Sequence, residues 1–259
     1  MKRIENMSMS FHGIRNDEVG AKLIGMPIRQ SAAISGEKLT IPGRSGFLFA
    51  PSGYGPITIK QDLMVEDSGD LPNAVQWLSG SGKLIFGDDP DFYYDAMVLT
   101  PISLQSIMKR LTGQKLSVTF TCQPFRYEVH EFGGFQVSAQ LKSANSRTYT
   151  GTFRGYGHVN SDPLVALTAS AAGTVRLTVN DRMMIVTASA NQTIYIDCDA
   201  GTAYTESGGD IAFAGGSIAV EDDWYELNPG SLSTANSVTI VSSANMTVTL
   251  KITPRWRYL

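Results

Sequence analysis

Ile57, Ile59, Gln61, Leu63 and Val65 alternate with Thr58, Lys60, Asp62, Met64 and Glu66, and the run closes at Asp67-Ser68-Gly69. A period of two sends the first set to one face of a strand and the second to the other. One face is mainly apolar and the other mostly polar, the pattern of a strand half-buried in an antiparallel sheet. Shorter alternations flank it. Met7, Met9 and Phe11, then Val19, Ala21 and Leu23, predict two strands broken near Gly13–Asp17. Leu39 and Ile41 lead into the turn Pro42-Gly43-Arg44-Ser45-Gly46, after which Phe47 and Phe49 resume the alternation and Pro51–Pro56 reads as a loop. Ser103–Leu111 reads as strand and turn. Leu116, Val118, Phe120 and Cys122 make a further strand, which Pro124 is expected to end.

Between these runs lies the segment Leu71–Leu99. Asp70 is a good N-cap, and Pro72 sits near the first helical position, where its missing N–H costs nothing. Leu71, Val75 and Leu78 share one face of a short helix, and Gly80-Ser81-Gly82 is expected to end it. Lys83–Phe86 predicts a strand, Gly87-Asp88-Asp89-Pro90-Asp91 an acidic turn, and Phe92–Leu99 a second strand.

Beyond Tyr127 the composition changes. Gly133-Gly134 and Ser143–Ser146 punctuate a looser region, and Asn160-Ser161-Asp162-Pro163 marks a break. Short strands between polar turns follow at Leu164–Leu167, Thr174–Val179, Met184–Thr187, Thr193–Asp197, Thr202–Tyr204, Ser237–Val241 and Thr247–Thr253, the spacing of an all-β sandwich. A chain of 259 residues suits two domains. They are placed at 1–135 and 136–259, with the boundary inside 128–154.

The charge balance, 21 basic against 24 acidic residues, leaves no basic stripe for nucleic acid. No run of about 18 apolar residues spans a membrane, and the N-terminus has a basic start without the apolar core of a signal peptide. Cys122 and Cys198 lie far apart without metal spacing and read as buried thiols in a reducing compartment. His12, His130 and His158 are isolated. Asp197-Cys198-Asp199-Ala200-Gly201 glances at a calcium loop, but Gly208 stands where the twelfth position needs Glu. Asp88, Asp89 and Asp91 are explained by a solvated turn. No cofactor or metal is expected. Nucleophile elbows, P-loops and dinucleotide fingerprints are missing, so no enzyme is expected. Trp224-Tyr225 and Trp256 with Tyr258 read as core or interface anchors, with an Arg–aromatic contact expected in Arg255–Tyr258.

Phe11 with Gly13, the Gly43-Arg44-Ser45-Gly46 turn, the Leu71–Leu99 segment with its Asp-Asp-Pro-Asp turn and paired tyrosines, and Phe120–Tyr127 occur in that order. Together they resemble the distal tail proteins of long-tailed bacteriophages of Gram-positive bacteria. The later runs PLVAL, GTVRLTVND and IYID, and the terminal PRWRYL, are similar to that family's second domain. The family's continuous L-x-P-G-x-N-x-I turn is here split, with residues intervening between Leu227-Asn228-Pro229-Gly230 and Asn236-Ser237-Val238.

The resemblance implies a mainly β chain: an N-terminal sandwich-like, ring-forming domain with one short helix, then a galectin-like or carbohydrate-module-like sandwich projecting outward. It implies a structural, non-catalytic virion protein, made in the host cytoplasm and placed at the tail tip. There a homohexameric ring would join the tail tube and tape-measure complex to the tail-associated hub protein, with DNA passing its channel unbound and receptor-binding proteins or surface glycans as further partners. Candidate interface residues are Arg44, Trp77, Asp88, Asp89, Tyr93 and Tyr94. Trp224 and Tyr225 are candidate glycan or partner contacts, and would form the stacking platform in the alternative reading, a free carbohydrate-binding sandwich.

Overall fold

A computed structural model describes residues 7–67, 69–106, 113–142, 147–207, 209–230 and 235–259. The expected loop Ser143–Ser146, the last five residues of Ser103–Leu111, Ser68 and the six N-terminal residues lie outside them. The chain forms two compact units, Met1–Val129 with Leu259, and His130–Tyr258.

The first unit contains β1 (Met9–Phe11), β2 (Ile14–Arg15), β3 (Ala21–Ile24), β4 (Ile34–Leu39), β5 (Leu48–Tyr54), β6 (Ile57–Val65), helix α1 (Leu71–Trp77), β7 (Ser81–Phe86), β8 (Phe92–Met97), β9 (Ser103–Ser106) and β10 (Gln114–Glu128). Eight strands make one antiparallel sheet in the order β2-β1-β7-β8-β10-β6-β3, with β9 also on β10. The alternation in β6 does what its period requires: Ile57, Ile59, Gln61, Leu63 and Val65 all face inward. Phe11, Ile59, Leu63, Leu84, Leu116 and Phe120 lie in the core of this sandwich-like unit. His12 and Gly13 both take positive φ and close the β1–β2 hairpin, as a two-residue turn between right-twisted strands demands.

Five local expectations are corrected. Asp70 precedes α1, but its side chain makes no capping bond; only its carbonyl accepts, from the Ala74 N–H at 2.9 Å. The buried helix face is Ala74, Trp77 and Leu78, while Leu71 and Val75 pack at its margin. The helix ends before Gly80, and Ser81 and Gly82 already belong to β7. Pro124 does not end β10. The strand runs on to Glu128 because its register with β8 shifts between Cys122 and Arg126, and a bulge leaves the proline no ladder bond to supply. Likewise Pro51 sits inside β5, opposite Gly36 beside a register shift, where a loop was expected.

The second unit contains β11 (Phe135–Leu141), β12 (Thr148–Arg154), β13 (Leu164–Ala169), β14 (Gly173–Val179), β15 (Arg182–Ala188), β16 (Thr193–Asp197), β17 (Thr202–Ser207), β18 (Asp210–Phe213), β19 (Ile218–Val220), β20 (Ala235–Ser242) and β21 (Met246–Thr253). A six-stranded sheet, β11-β21-β13-β16-β17-β18, and a five-stranded sheet, β12-β20-β14-β15-β19, enclose one core that includes Leu167, Leu177, Val186, Ile194, Ile240 and Leu250. β11, β12, β18 and β19, all at sheet edges, escaped the sequence pattern. Half-exposed edges bury too little for a clean alternation.

Asn236 is wholly buried and mends the split turn. Its Oδ1 accepts the Asn228 N–H at 2.8 Å and the Asn180 Nδ2 at 3.1 Å, and its Nδ2 donates to the Asn228 carbonyl at 3.3 Å. The two halves separated in sequence are therefore joined in space.

Candidate assembly interface

The acidic turn after β7 is occupied from within. Asp88 pairs with Arg29, and Asp89 accepts the Arg126 Nη1 at 2.7 Å. Each guanidinium also lies over a ring, Arg29 above Phe86 at 4.9 Å and Arg126 above Phe92 at 4.6 Å. The planar cation thus binds carboxylate and aromatic face together, and the turn is pinned to the segment after β3 and to β10. Tyr94 faces the same arginines from β8, mostly buried. Burial pushes its phenol above the usual range, and the nearby arginines partly offset this. Tyr93 points the other way, half-buried, stacked on Tyr127 at 5.6 Å and covered by the Lys83 ammonium at 4.2 Å.

Trp77 lies inside the first unit. Its indole N–H reaches the Phe11 carbonyl at 3.0 Å and the Ile14 carbonyl at 3.2 Å, fastening α1 to the β1–β2 hairpin. It anchors the fold of one chain and presents almost no surface to a partner.

Arg44 stands apart from the other five, exposed in the turn that joins β4 to β5. Among the described residues these strands pair only with each other. At the base Tyr54 packs edge-on against Phe125 at 5.2 Å and the Gly55 N–H bonds to the Ala33 carbonyl at 2.8 Å. Toward the tip the apolar side chains are uncovered: Phe47 is 58% exposed and Leu39 52%, with Ile41, Leu48 and Phe49 close behind, and at the base Ile34 is 57% exposed. A two-stranded hairpin alone is marginal in water, and grouped exposed apolar side chains mark interaction surfaces. The sequence does hold the signal: an alternation bracketed by Pro and Gly, with Leu48 making Phe47–Phe49 apolar on both faces. Of the hairpin's residues, only Arg44 stands among the expected interface candidates.

In the second unit, Trp224 is half-buried beside Gly201, where a Cβ would lie 3.6 Å from the indole Nε1. The Trp224 carbonyl accepts from Arg182 at 2.5 Å, and Arg182 also pairs with Glu226 at 2.6 Å. Tyr225 is 0% exposed and donates its hydroxyl to the Leu177 carbonyl at 2.9 Å. Desolvation holds that phenol well above its ordinary pKa. A ring closed on every side cannot stack on a sugar, so the two-residue platform is corrected to one core residue and one half-covered neighbour.

Arg255 and Arg257 pair with carboxylates, Arg255 with Asp197 and Arg257 with Asp162, while Trp256 is buried with its N–H on the Phe132 carbonyl. Among the described residues no three His, Cys, Asp or Glu side chains group as metal ligands would, and no helix is long and apolar enough to cross a membrane.

No family model matches the chain, and no curated protein matches it in sequence. Its fold is nevertheless that of phage tail-hub and baseplate proteins. It is similar to the crystal structure of the Dit protein of phage SPP1, a paradigm of the hub adsorption apparatus in phages infecting Gram-positive bacteria. The identity is 14%, the match covers 98% of this chain and 99% of that one, and the TM-score is 0.70. It is also similar to a chain of the phage p2 baseplate in its activated conformation, at 10% identity, 93% and 92% coverage and a TM-score of 0.52.

Proposed function

We propose that this chain is a distal tail protein: a structural, non-catalytic component of a phage tail tip, in which the first unit forms a homohexameric ring between the tail tube and the tip. The observation that carries the reading is the likeness of fold to the SPP1 hub protein along nearly the whole of both chains, through both units. The uncovered β4–β5 hairpin supports it, since an apolar projection of this kind is stable in water once another surface covers it.

Its partners are the tail tube protein, the tape-measure complex and the tail-associated hub protein, with receptor-binding proteins or surface glycans reached by the second unit. The chain is made in the host cytoplasm and ends in the virion. A net charge of −3 suits a ring through which DNA passes without being held, because several Lys or Arg contacts to phosphate would retain the strand. The free glycan-binding alternative has lost its Tyr225 platform to the core.

Light scattering coupled to size exclusion, with negative-stain microscopy, tests the ring: a mass of six chains and an annulus are expected. A strict monomer that also fails to bind the tube and hub proteins would overturn the reading.

A further inference from the structure

A cleft of about 560 Å³ opens in the first unit between the residues that precede β1, the turn from Arg15 to Gly20 with β3, and the segment that follows β6. Its apolar floor includes Met7, Ala21 and Leu23, and its rim carries Asp17, Glu66, Asp67 and Asp70. The two cations of the rim are already engaged, Arg15 with Asp17 at 3.0 Å and Lys22 with Glu66 at 2.8 Å. Among the described residues Asp67 and Asp70 have no cationic partner. The cleft is therefore apolar below and acidic at its edge, and its volume falls within the ~300–1,000 Å³ range of sites that enclose a compact ligand.

The hairpin tip has the opposite character. Between Leu39 and Tyr54 the only charged residue is Arg44, flanked by exposed Ile41 and Phe47, and the Lys38 ammonium reaches this end of the hairpin from β4, 5.0 Å over the Phe47 ring. Gly43 and Gly46 both take positive φ with open space around them, which keeps the tip narrow. The six residues of β4 give the hairpin a reach of about 20 Å.

We infer that the Ile41–Phe47 tip of one copy seats in the acidic-rimmed cleft of the next copy, Arg44 meeting Asp67 and Asp70 while Ile41 and Phe47 cover the apolar floor. This rests on the ring reading and gives that ring its contact. Tip and cleft are different patches of one surface, so the interface is heterologous, and head-to-tail contacts of that type close into rings when the rotation permits. Charge complementarity selects a second copy over a basic or neutral partner, because both halves of the match lie on this chain.

The test compares assembly mass for the wild type, Arg44→Glu, Asp67→Lys and the double variant, with melting temperature as a fold control. Asp67 and Arg44 are both exposed, so the substitutions leave the core intact. Each single variant should fall from six chains toward one, and the double should recover the ring. A second measurement mixes Ser45→Cys with a differently tagged Asp67→Cys under mild copper–phenanthroline oxidation, and a disulfide between the two tags is expected. If both single variants assemble like the wild type and no cross-link forms, the docking is wrong while the ring stands. If the variants assemble normally but lose binding to a tail partner, the cleft belongs to that partner and the docking is again overturned. If the wild type is itself a monomer, both readings fall.

Discussion

Arg255 grips both oxygens of Asp197, Nη1 to Oδ1 at 2.7 Å and Nη2 to Oδ2 at 2.8 Å. The same carboxylate accepts the backbone N–H groups of Asp199 and Ala200, so one side chain ties the chain just after β21 to the turn after β16. The Arg255 bonds above all, then those N–H groups, hold the Asp197 carboxyl below its ordinary pKa against the opposing effect of burial. A folded-state pKa lowered in this way gives stability that is present above the unfolded value of about 3.9 and is lost as pH falls through the folded value. Asp197→Ala should cost the second unit about 2–3 kcal/mol at neutral pH. Urea denaturation from pH 7 down to pH 2 checks this, with the variant losing less stability on acidification than the wild type.

Trp77→Ala removes a buried indole and leaves the Phe11 and Ile14 carbonyls without their shared donor. A loss of about 3–5 kcal/mol is expected. Trp77→Phe keeps most of the volume and should cost about 1–2 kcal/mol. Tm from circular dichroism measures both, and the first-unit transition alone should move.

Asn236→Ala strands the part-buried Asn228 N–H and removes an acceptor from Asn180. The expected cost is about 2–3 kcal/mol. Asn236→Asp keeps the acceptor but cannot donate to the Asn228 carbonyl, so it should fall between wild type and Ala in chemical denaturation.

Cys122 and Cys198 are free and buried, and burial pushes both thiols up to about 12. The thiolate is the reactive form, so across pH 7–9 neither should react with a disulfide reagent in the folded chain. Both should react at once in denaturant. Absorbance of the released chromophore gives the count.

Much of the candidate interface was legible only as residue types. The Asp-Asp-Pro-Asp turn stood out in the sequence, but two arginines remote from it in sequence, Arg29 and Arg126, pair with two of its three aspartates from inside. Tyr225 and Trp224 looked equivalent as neighbours in a polar segment. The chain bends at Trp224, outside any strand, and only the ring that follows went to the core. The hairpin misled in the other direction. Its alternation matched that of β1 or β6, yet its apolar side chains remain in solvent.

By itself the sequence determined that the chain is antiparallel β, where β6, β10 and most of the second unit's strands run, and that one short helix precedes the β7–β8 hairpin. These follow from periodicity and turn chemistry, which act over a few residues. Tertiary structure decided which apolar residues are covered: Phe11 lies edge-on against Phe120 in a closed core, while Phe47 waits uncovered at the end of a two-stranded arm. The difference is not in the side chain. Burial depends on partners brought in from distant parts of the chain, and the hairpin strands, paired with each other among the described residues, leave their apolar side chains exposed.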